Sequence, residues 1–156
     1  SPRRSKTWGM CSMPPSNGYN PMLWNCNRQG CFNLKKRPKI EMFADCLPGR
    51  IAFSDIDAVT EISGNLLFLE WKEHQRICKG QELLFERLTL LCPATVFVVE
   101  GDAERMAVDS FRTVWKGKIS PPELADINVL RREIAAWKDW ALANSAMNQT
   151  KEILCN

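Results

Sequence analysis

The sequence predicts an α/β domain with a mixed sheet of four to five strands flanked by helices. Three segments carry this prediction, because a hairpin, an amphipathic helix and a buried strand follow one another between residues 50 and 100. Strands that alternate with a helix are typical of α/β folds with a partly parallel sheet. The chain has 156 residues, which is the size of one domain, and its 45% apolar residues are enough for a hydrophobic core.

The hairpin is predicted over residues 50–72, with a turn signal at residues 63–65 (Ser-Gly-Asn) between two apolar runs. Because side chains alternate along a strand, Glu70 and Lys72 lie on one face of the second strand. The other face carries Leu67, Leu69 and Trp71. An otherwise apolar strand is normally buried, and burying charge is costly unless it is paired or bound to a metal. This strand end is therefore the candidate functional site.

A helix is predicted over residues 79–91, followed by a buried strand over residues 95–99. The helix has an apolar stripe at Leu84, Phe85, Leu88 and Leu91. Cys92 and Pro93 end it, and Cys92 is expected in the core. The strand reads Thr-Val-Phe-Val-Val, a β-branched and aromatic run typical of a strand buried on both faces.

The second half of the sequence predicts a helical turn through Met106, a strand over residues 111–118 and a last helix opened by residues 121–122 (Pro-Pro). The apolar stripe predicted for that helix consists of Leu124, Ile127, Leu130, Ile134, Trp137 and Ala141. Its simplest role is to cover the sheet.

The N-terminal part of the chain is basic. Residues 1–50 hold nine lysines and arginines against two acids, whereas residues 51–156 hold twelve against sixteen. A basic arm on an acidic body favours a polyanionic partner, although a solvated arm has the same composition. Four side chains of this arm are candidate phosphate contacts, and the alternative is that they form a solvated surface: Lys35, Lys36, Arg37 and Lys39.

Seven cysteines are an unusually high number for a chain of this size. Four of them predict a structural zinc site, and they are Cys11, Cys26, Cys31 and Cys46. Within the segment CNRQGC, Gly30 permits the tight turn that a chelating knuckle needs. Buried or incidental thiols are the alternative.

The group formed by Asp57, Glu70, Trp71 and Lys72 resembles the PD-(D/E)xK nuclease superfamily. The resemblance covers roughly residues 37–100, where strand, turn, strand, helix and strand follow in the family's order. Phage and bacterial members of the VRR-NUC and Holliday-junction-resolvase types are the most similar. One departure is that Ile56, not proline, precedes the first acid, and Asp55 competes for the same role.

The resemblance implies a restriction-endonuclease-like fold and a magnesium- or manganese-dependent endonuclease. It implies that Asp57, Glu70 and the carbonyl of Trp71 bind the metal and that Lys72 acts on the attacking water. It also implies catalytic support from Gln81 and from an acid on a short helix before the hairpin. Glu41 is the candidate for that acid, and an exposed helix carboxylate is the alternative.

The expected domains are a basic cysteine-containing extension (residues 1–36), a nuclease-like domain (37–143) and a polar tail (144–156). The expected partner is DNA, with RNA not excluded, and structure-selective cleavage is expected because no base-reading motif is visible. Homodimerisation is an open option. No apolar run of 18 residues exists, so we expect a cytoplasmic protein without a membrane partner.

The alternative function is a non-catalytic module of phage type that binds nucleic acid or protein through the same fold. A zinc-ribbon transcription factor is a weaker option, in which the cysteines rather than the acids carry function. His74 is the only histidine, which excludes hydrolases that hold zinc with two histidines. His74 itself is either near the scissile phosphate or simply solvated.

Overall fold

The computed structural model describes residues 43, 45–49, 51, 53–73 and 77–148. The chain forms two units, Ser1–Phe53 and Ser54–Asn156. In the described part of the first unit, the rings of Phe43 and Phe53 meet edge to face with their centroids 6.4 Å apart. The strands and helices named below all belong to the second unit.

The second unit contains a mixed sheet with a helix on each face. The elements are β1 (Ala58–Ile62), β2 (Asn65–Lys72), α1 (Lys79–Leu91), β3 (Ala94–Asp102), β4 (Ala107–Trp115), β5 (Lys118–Ile119), β6 (Glu123–Leu124) and α2 (Ile127–Ala143). The strand order is β1-β2-β3-β4-β5, with β6 also paired to β4. Strands β2 and β3 are parallel, and the other pairs are antiparallel. The predicted α/β class with a mixed sheet is confirmed, and the sheet has six strands.

Strands β1 and β2 form the predicted hairpin, although β1 begins at Ala58 rather than at residue 50. Ser63 and Gly64 connect the strands with φ values of 53° and 85°. Positive φ at both central residues defines the type I′ turn, whose twist matches that of a hairpin. The register pairs Ala58 with Leu69 and Ile62 with Asn65. The turn therefore fixes which side chains of β2 face each way.

The described part of the predicted polar tail is attached to this hairpin. The backbone N–H of Ala146 donates to the carbonyl of Ser63 at 2.9 Å. Asn65 is 3% exposed, and its side-chain amide donates to the carbonyl of Asn144 at 2.8 Å. Buried polar groups are normally paired in this way, so residues 144–146 are part of the packed unit.

Two apolar cores lie on opposite faces of the sheet. The core beneath α2 contains Leu67, Phe97, Val99, Val108, Phe111, Leu130, Trp137 and Ala141. The core beneath α1 contains Phe85, Val96, Val98 and Val114. Strand β3 contributes to both cores, as expected for a strand covered on both sides. The prediction that this strand is buried on both faces is therefore confirmed.

Three predictions around β3 and β4 are wrong. Cys92 is exposed rather than in the core. Met106 lies in a turn at φ 54°, and the following strand is Ala107–Trp115 rather than residues 111–118. A β-bulge between β3 and β4 interrupts the apolar alternation of β4, and this hid the strand's first half.

The predicted start of the last helix is also wrong. Leu124 lies in β6 and is 92% exposed, so it is not part of the helix stripe. Helix α2 begins at Ile127 because the Asp126 side chain accepts the backbone N–H of Val129 at 2.8 Å. An aspartate at this position satisfies a backbone donor that proline cannot satisfy. The rest of the stripe packs on the sheet as predicted.

Candidate active site at the end of strand β2

Glu70 and Lys72 form an ion pair on the α1 side of β2. Their neighbour on the same face is Phe68, which packs against the core beneath α1. Lys72 Nζ lies 2.7 Å from Glu70 Oε1, and the two side chains are 22% and 6% exposed. The predicted common face of the two residues is confirmed. Because neither group is fully solvated, removing one partner costs more stability than breaking a surface ion pair does.

Gln81 joins this pair from the first turn of α1. Its Nε2 donates to Glu70 Oε1 at 2.7 Å, and both residues are buried, at 6% and 5% exposed. Gln81, Phe85 and Thr89 are the buried residues of α1, and their spacing of four places them on the face toward the sheet. The packing of α1 on the sheet therefore places the Gln81 side chain in contact with Glu70. The positive N-terminal end of α1 also favours a carboxylate there.

The second oxygen of Glu70 has no protein partner. Of the described residues, only Glu70 Oε2 and Trp71 Nε1 are buried side-chain polar atoms without a hydrogen bond. They belong to consecutive residues that face opposite sides of β2. An unpaired indole N–H is a modest penalty, but an unpaired carboxylate oxygen is a larger one. Glu70 therefore presents an oxygen that is suited to binding a cation.

Asp57 contacts β2 immediately beyond the hairpin ladder. The last ladder pair is Ala58 with Leu69, and the next free backbone N–H, that of Trp71, donates to Asp57 Oδ2 at 2.6 Å. Continuing the register by one residue pairs Asp57 with Glu70, so both carboxylates belong to the same face. Asp55 is exposed, and within the described residues its carboxylate makes no such contact. Of these two aspartates, Asp57 is therefore the one whose carboxylate contacts β2.

The backbone of Trp71 contributes to the same place. In an antiparallel pair, the N–H and C=O of one residue point to the same neighbouring strand. Because the N–H of Trp71 meets Asp57, its carbonyl oxygen also points toward the β1 side. Two carboxylates, one backbone carbonyl and one ammonium group therefore belong to this end of the sheet.

A further carboxylate that the sequence analysis did not single out lies at the same end. Glu100 of β3 is the register partner of Lys72 across the parallel ladder. In the sequence, the feature that could have identified Glu100 is its position as a charged residue at the end of an apolar run, as at Glu70. Parallel pairing of β2 with β3 makes the two strand ends adjacent, which the sequence did not establish.

Several predicted site residues lie outside the described residues. They are Cys11, Cys26, Cys31, Lys35, Lys36, Arg37, Lys39, Glu41 and His74. Cys46 is described and is exposed. Among the residues that the structure describes, no group of three or more His, Cys, Asp or Glu side chains has the arrangement of a metal site. The zinc site and the role of Glu41 stay predictions.

Comparison of the chain with protein-family models, with curated proteins and with solved structures gives no match. Neither helix in the described part has the length and apolar content needed to cross a bilayer.

Proposed function

We propose that this protein is a divalent-metal-dependent nuclease of the PD-(D/E)xK type, with a restriction-endonuclease-like sheet. One observation carries the proposal. The buried carboxylate of Glu70 is paired through one oxygen only, and its other oxygen is unpaired on a strand end that also carries Lys72 and contacts Asp57. A buried charge kept half satisfied is unfavourable for folding, and such groups concentrate at functional sites.

The donor set fits magnesium. Carboxylate and carbonyl oxygens are its usual ligands, and it commonly takes one or two protein carboxylates while keeping waters and substrate phosphate. Asp57, Glu70 and the carbonyl of Trp71 would hold it. Two protein carboxylates are enough for this mode of binding, so a cluster of three acids is not required. Bound there, the ion would neutralise charge on a phosphodiester and activate a water molecule.

The residues of the chain would divide the remaining work. Lys72 donates one N–H to Glu70, and an ammonium group has three donors. Its other donors can orient the attacking water and stabilise negative charge on the phosphate in the transition state. Gln81 fixes the rotamer of Glu70 through its amide hydrogen bond. Asp57 is fixed by the backbone of Trp71, so the carboxylates are positioned before substrate binds.

The proposed substrate is DNA, with RNA as an alternative that cleavage assays would distinguish. A non-catalytic binding module would retain the fold without needing Asp57, Glu70 and Lys72 together. The half-paired Glu70 favours the enzyme over this module, because a binding surface gains nothing from an unpaired buried carboxylate.

The test is cleavage of supercoiled, linear, branched and single-stranded DNA, and of RNA, with magnesium or manganese. We expect the wild type to cut, and we expect Asp57→Asn and Lys72→Met each to lower the rate by about 100-fold or more. Asp55→Asn is the matched control, since Asp55 is a neighbouring exposed acid, and its rate should stay within about threefold of the wild type.

Two results would contradict the proposal. The first is a folded wild type that cuts neither DNA nor RNA at any metal concentration but still binds one of them, which identifies a binding module. The second is cutting that survives Asp57→Asn and Lys72→Met unchanged. If only Asp55→Asn abolished cutting, Asp55 rather than Asp57 would be the first metal ligand.

A further inference from the structure

Glu100 lies beside the candidate site on the neighbouring strand. It is the register partner of Lys72, and Val96 and Val98 of the same strand face α1. Because side chains alternate along β3, Glu100 projects to that same face. Neighbouring strands lie about 4.8 Å apart, so the carboxylate of Glu100 is within reach of the long Lys72 side chain.

The orientation of Glu100 is determined by the strands around it. Ser110, which is 8% exposed, donates its hydroxyl to Glu100 Oε2 at 3.3 Å. The β-bulge follows directly, between Glu100 and Gly101. A Cβ atom on Gly101 would lie 2.0 Å from the carbonyl oxygen of Ala107, so only glycine fits there. Bulges of this kind re-aim side chains, and they are frequent next to active sites.

A conflict arises at Glu70 when a cation binds. Lys72 already donates to Glu70 Oε1 at 2.7 Å, and the unpaired Oε2 belongs to the same carboxylate. A divalent ion on Glu70 would therefore lie close to the Lys72 ammonium group. Two positive charges at such a separation repel each other strongly in a partly buried site. Unless Lys72 moves to another anion, it weakens cation binding.

We infer that Glu100 is a positioning residue that accepts the Lys72 ammonium group when a divalent cation binds Glu70. The inference rests on the proposed function, because it assigns a step at the same cation site. Glu100 gives Lys72 a second anionic partner on the same face of the sheet. The ammonium group then stays at the edge of the site, where it can meet water or phosphate.

The experiment measures Mn²⁺ affinity at low ionic strength from the electron paramagnetic resonance signal of free Mn²⁺. The four proteins are the wild type, Glu100→Gln, Lys72→Gln and the double variant. We expect Glu100→Gln to weaken binding about tenfold when Lys72 is present. In the Lys72→Gln background there is no ammonium group to move, so Glu100→Gln should weaken binding by no more than about twofold.

Glu104→Gln is the matched control, since Glu104 is an exposed acid in the turn after β3, and its affinity should equal that of the wild type. Thermal unfolding would verify that each variant is folded. Equal weakening in both backgrounds would mean that Glu100 acts by long-range charge alone, which overturns the inference. No weakening in either background also overturns it and leaves the proposed function standing. A wild type that binds no Mn²⁺ overturns both.

Discussion

The two faces of β2 differ at the same end of one strand. Toward α2, the strand contributes Leu67, Leu69 and Trp71 to a continuous apolar core. Toward α1, the apolar pattern holds at Phe68 and then changes to Glu70 and Lys72. The first face buries uncharged side chains, whereas the second buries a charge pair in which one carboxylate oxygen is unpaired.

The difference shows where this fold is stabilised and where it carries chemistry. Apolar burial contributes about 25 cal/mol per Å² and needs no particular partner atom. A buried ion pair gains little net stability, because desolvation offsets the attraction between the charges. We therefore expect substitutions on the α2 face to change stability without changing chemistry, and substitutions at Glu70 and Lys72 to change the chemistry with a smaller change in stability.

Phe97→Ala should give the largest loss of stability. Phe97 is 5% exposed, and its ring meets that of Phe111 edge to face with centroids 5.6 Å apart. Removal of a buried aromatic ring leaves a cavity and lowers the free energy of unfolding by about 3–5 kcal/mol. Urea denaturation followed by circular dichroism would measure it.

The control for this prediction is Leu90→Ala, because Leu90 is 66% exposed on α1 and its loss should change stability by less than about 0.5 kcal/mol. Under conditions where Phe97→Ala is still folded, its Mn²⁺ affinity should match that of the wild type. A weakened affinity there would show that the α2 face also shapes the cation site, and the contrast between the faces would fail.

The intermediate effect concerns the charge pair. Lys72→Met leaves the buried Glu70 carboxylate with Gln81 alone, and we expect a loss of about 1–3 kcal/mol. Partial solvent access at Lys72, which is 22% exposed, keeps the loss below that of a fully buried pair. Adding Glu70→Leu should then raise the free energy of unfolding, since the unpaired charge is removed.

Denaturation of the single and double variants would measure this recovery. Glu82→Leu with Lys79→Met, on the exposed surface of α1, is a control for the general effect of replacing charge by hydrocarbon. If Glu70→Leu instead deepened the loss, the pair would be a stabilising element of the fold. The burial of the pair would then give no indication of function.

Local features of this fold could be read from the sequence because short-range interactions determine them. The turn at Ser63 and Gly64 was predictable because glycine readily adopts the positive φ that the turn requires. The end of α1 follows from the proline after it, and the shared face of Glu70 and Lys72 follows from strand geometry alone. The predicted apolar stripe of α1 is wrong at Leu84 and Leu91, which are 37% and 79% exposed.

Other features depend on contacts between distant residues, which local patterns do not encode. The parallel register that pairs Lys72 with Glu100 depends on how α1 packs across the sheet. The bulge at Gly101 hid the first half of β4. At residues 121–122 a local helix-start signal was overridden by the strand pairing of β6 with β4 and by the Asp126 cap.

The smallest effect is expected at Thr95, where the α2 face buries a satisfied polar group. Thr95 Oγ1 accepts the indole N–H of Trp137 at 3.2 Å, and Thr95 is 6% exposed. Thr95→Val keeps the branched shape but leaves that N–H unpaired, which should lower the free energy of unfolding by about 1 kcal/mol. Denaturant unfolding monitored by tryptophan fluorescence would measure the change.

Thr113→Val is the matched control, because Thr113 lies opposite Phe97 and its hydroxyl has no hydrogen bond within the described residues. It should be neutral within about 0.5 kcal/mol. Cleavage and Mn²⁺ affinity should be unchanged in both threonine variants. If Thr95→Val lowered cleavage as strongly as Asp57→Asn, buried polar groups on both faces would serve the chemistry, and the unpaired oxygen of Glu70 would no longer distinguish the active face.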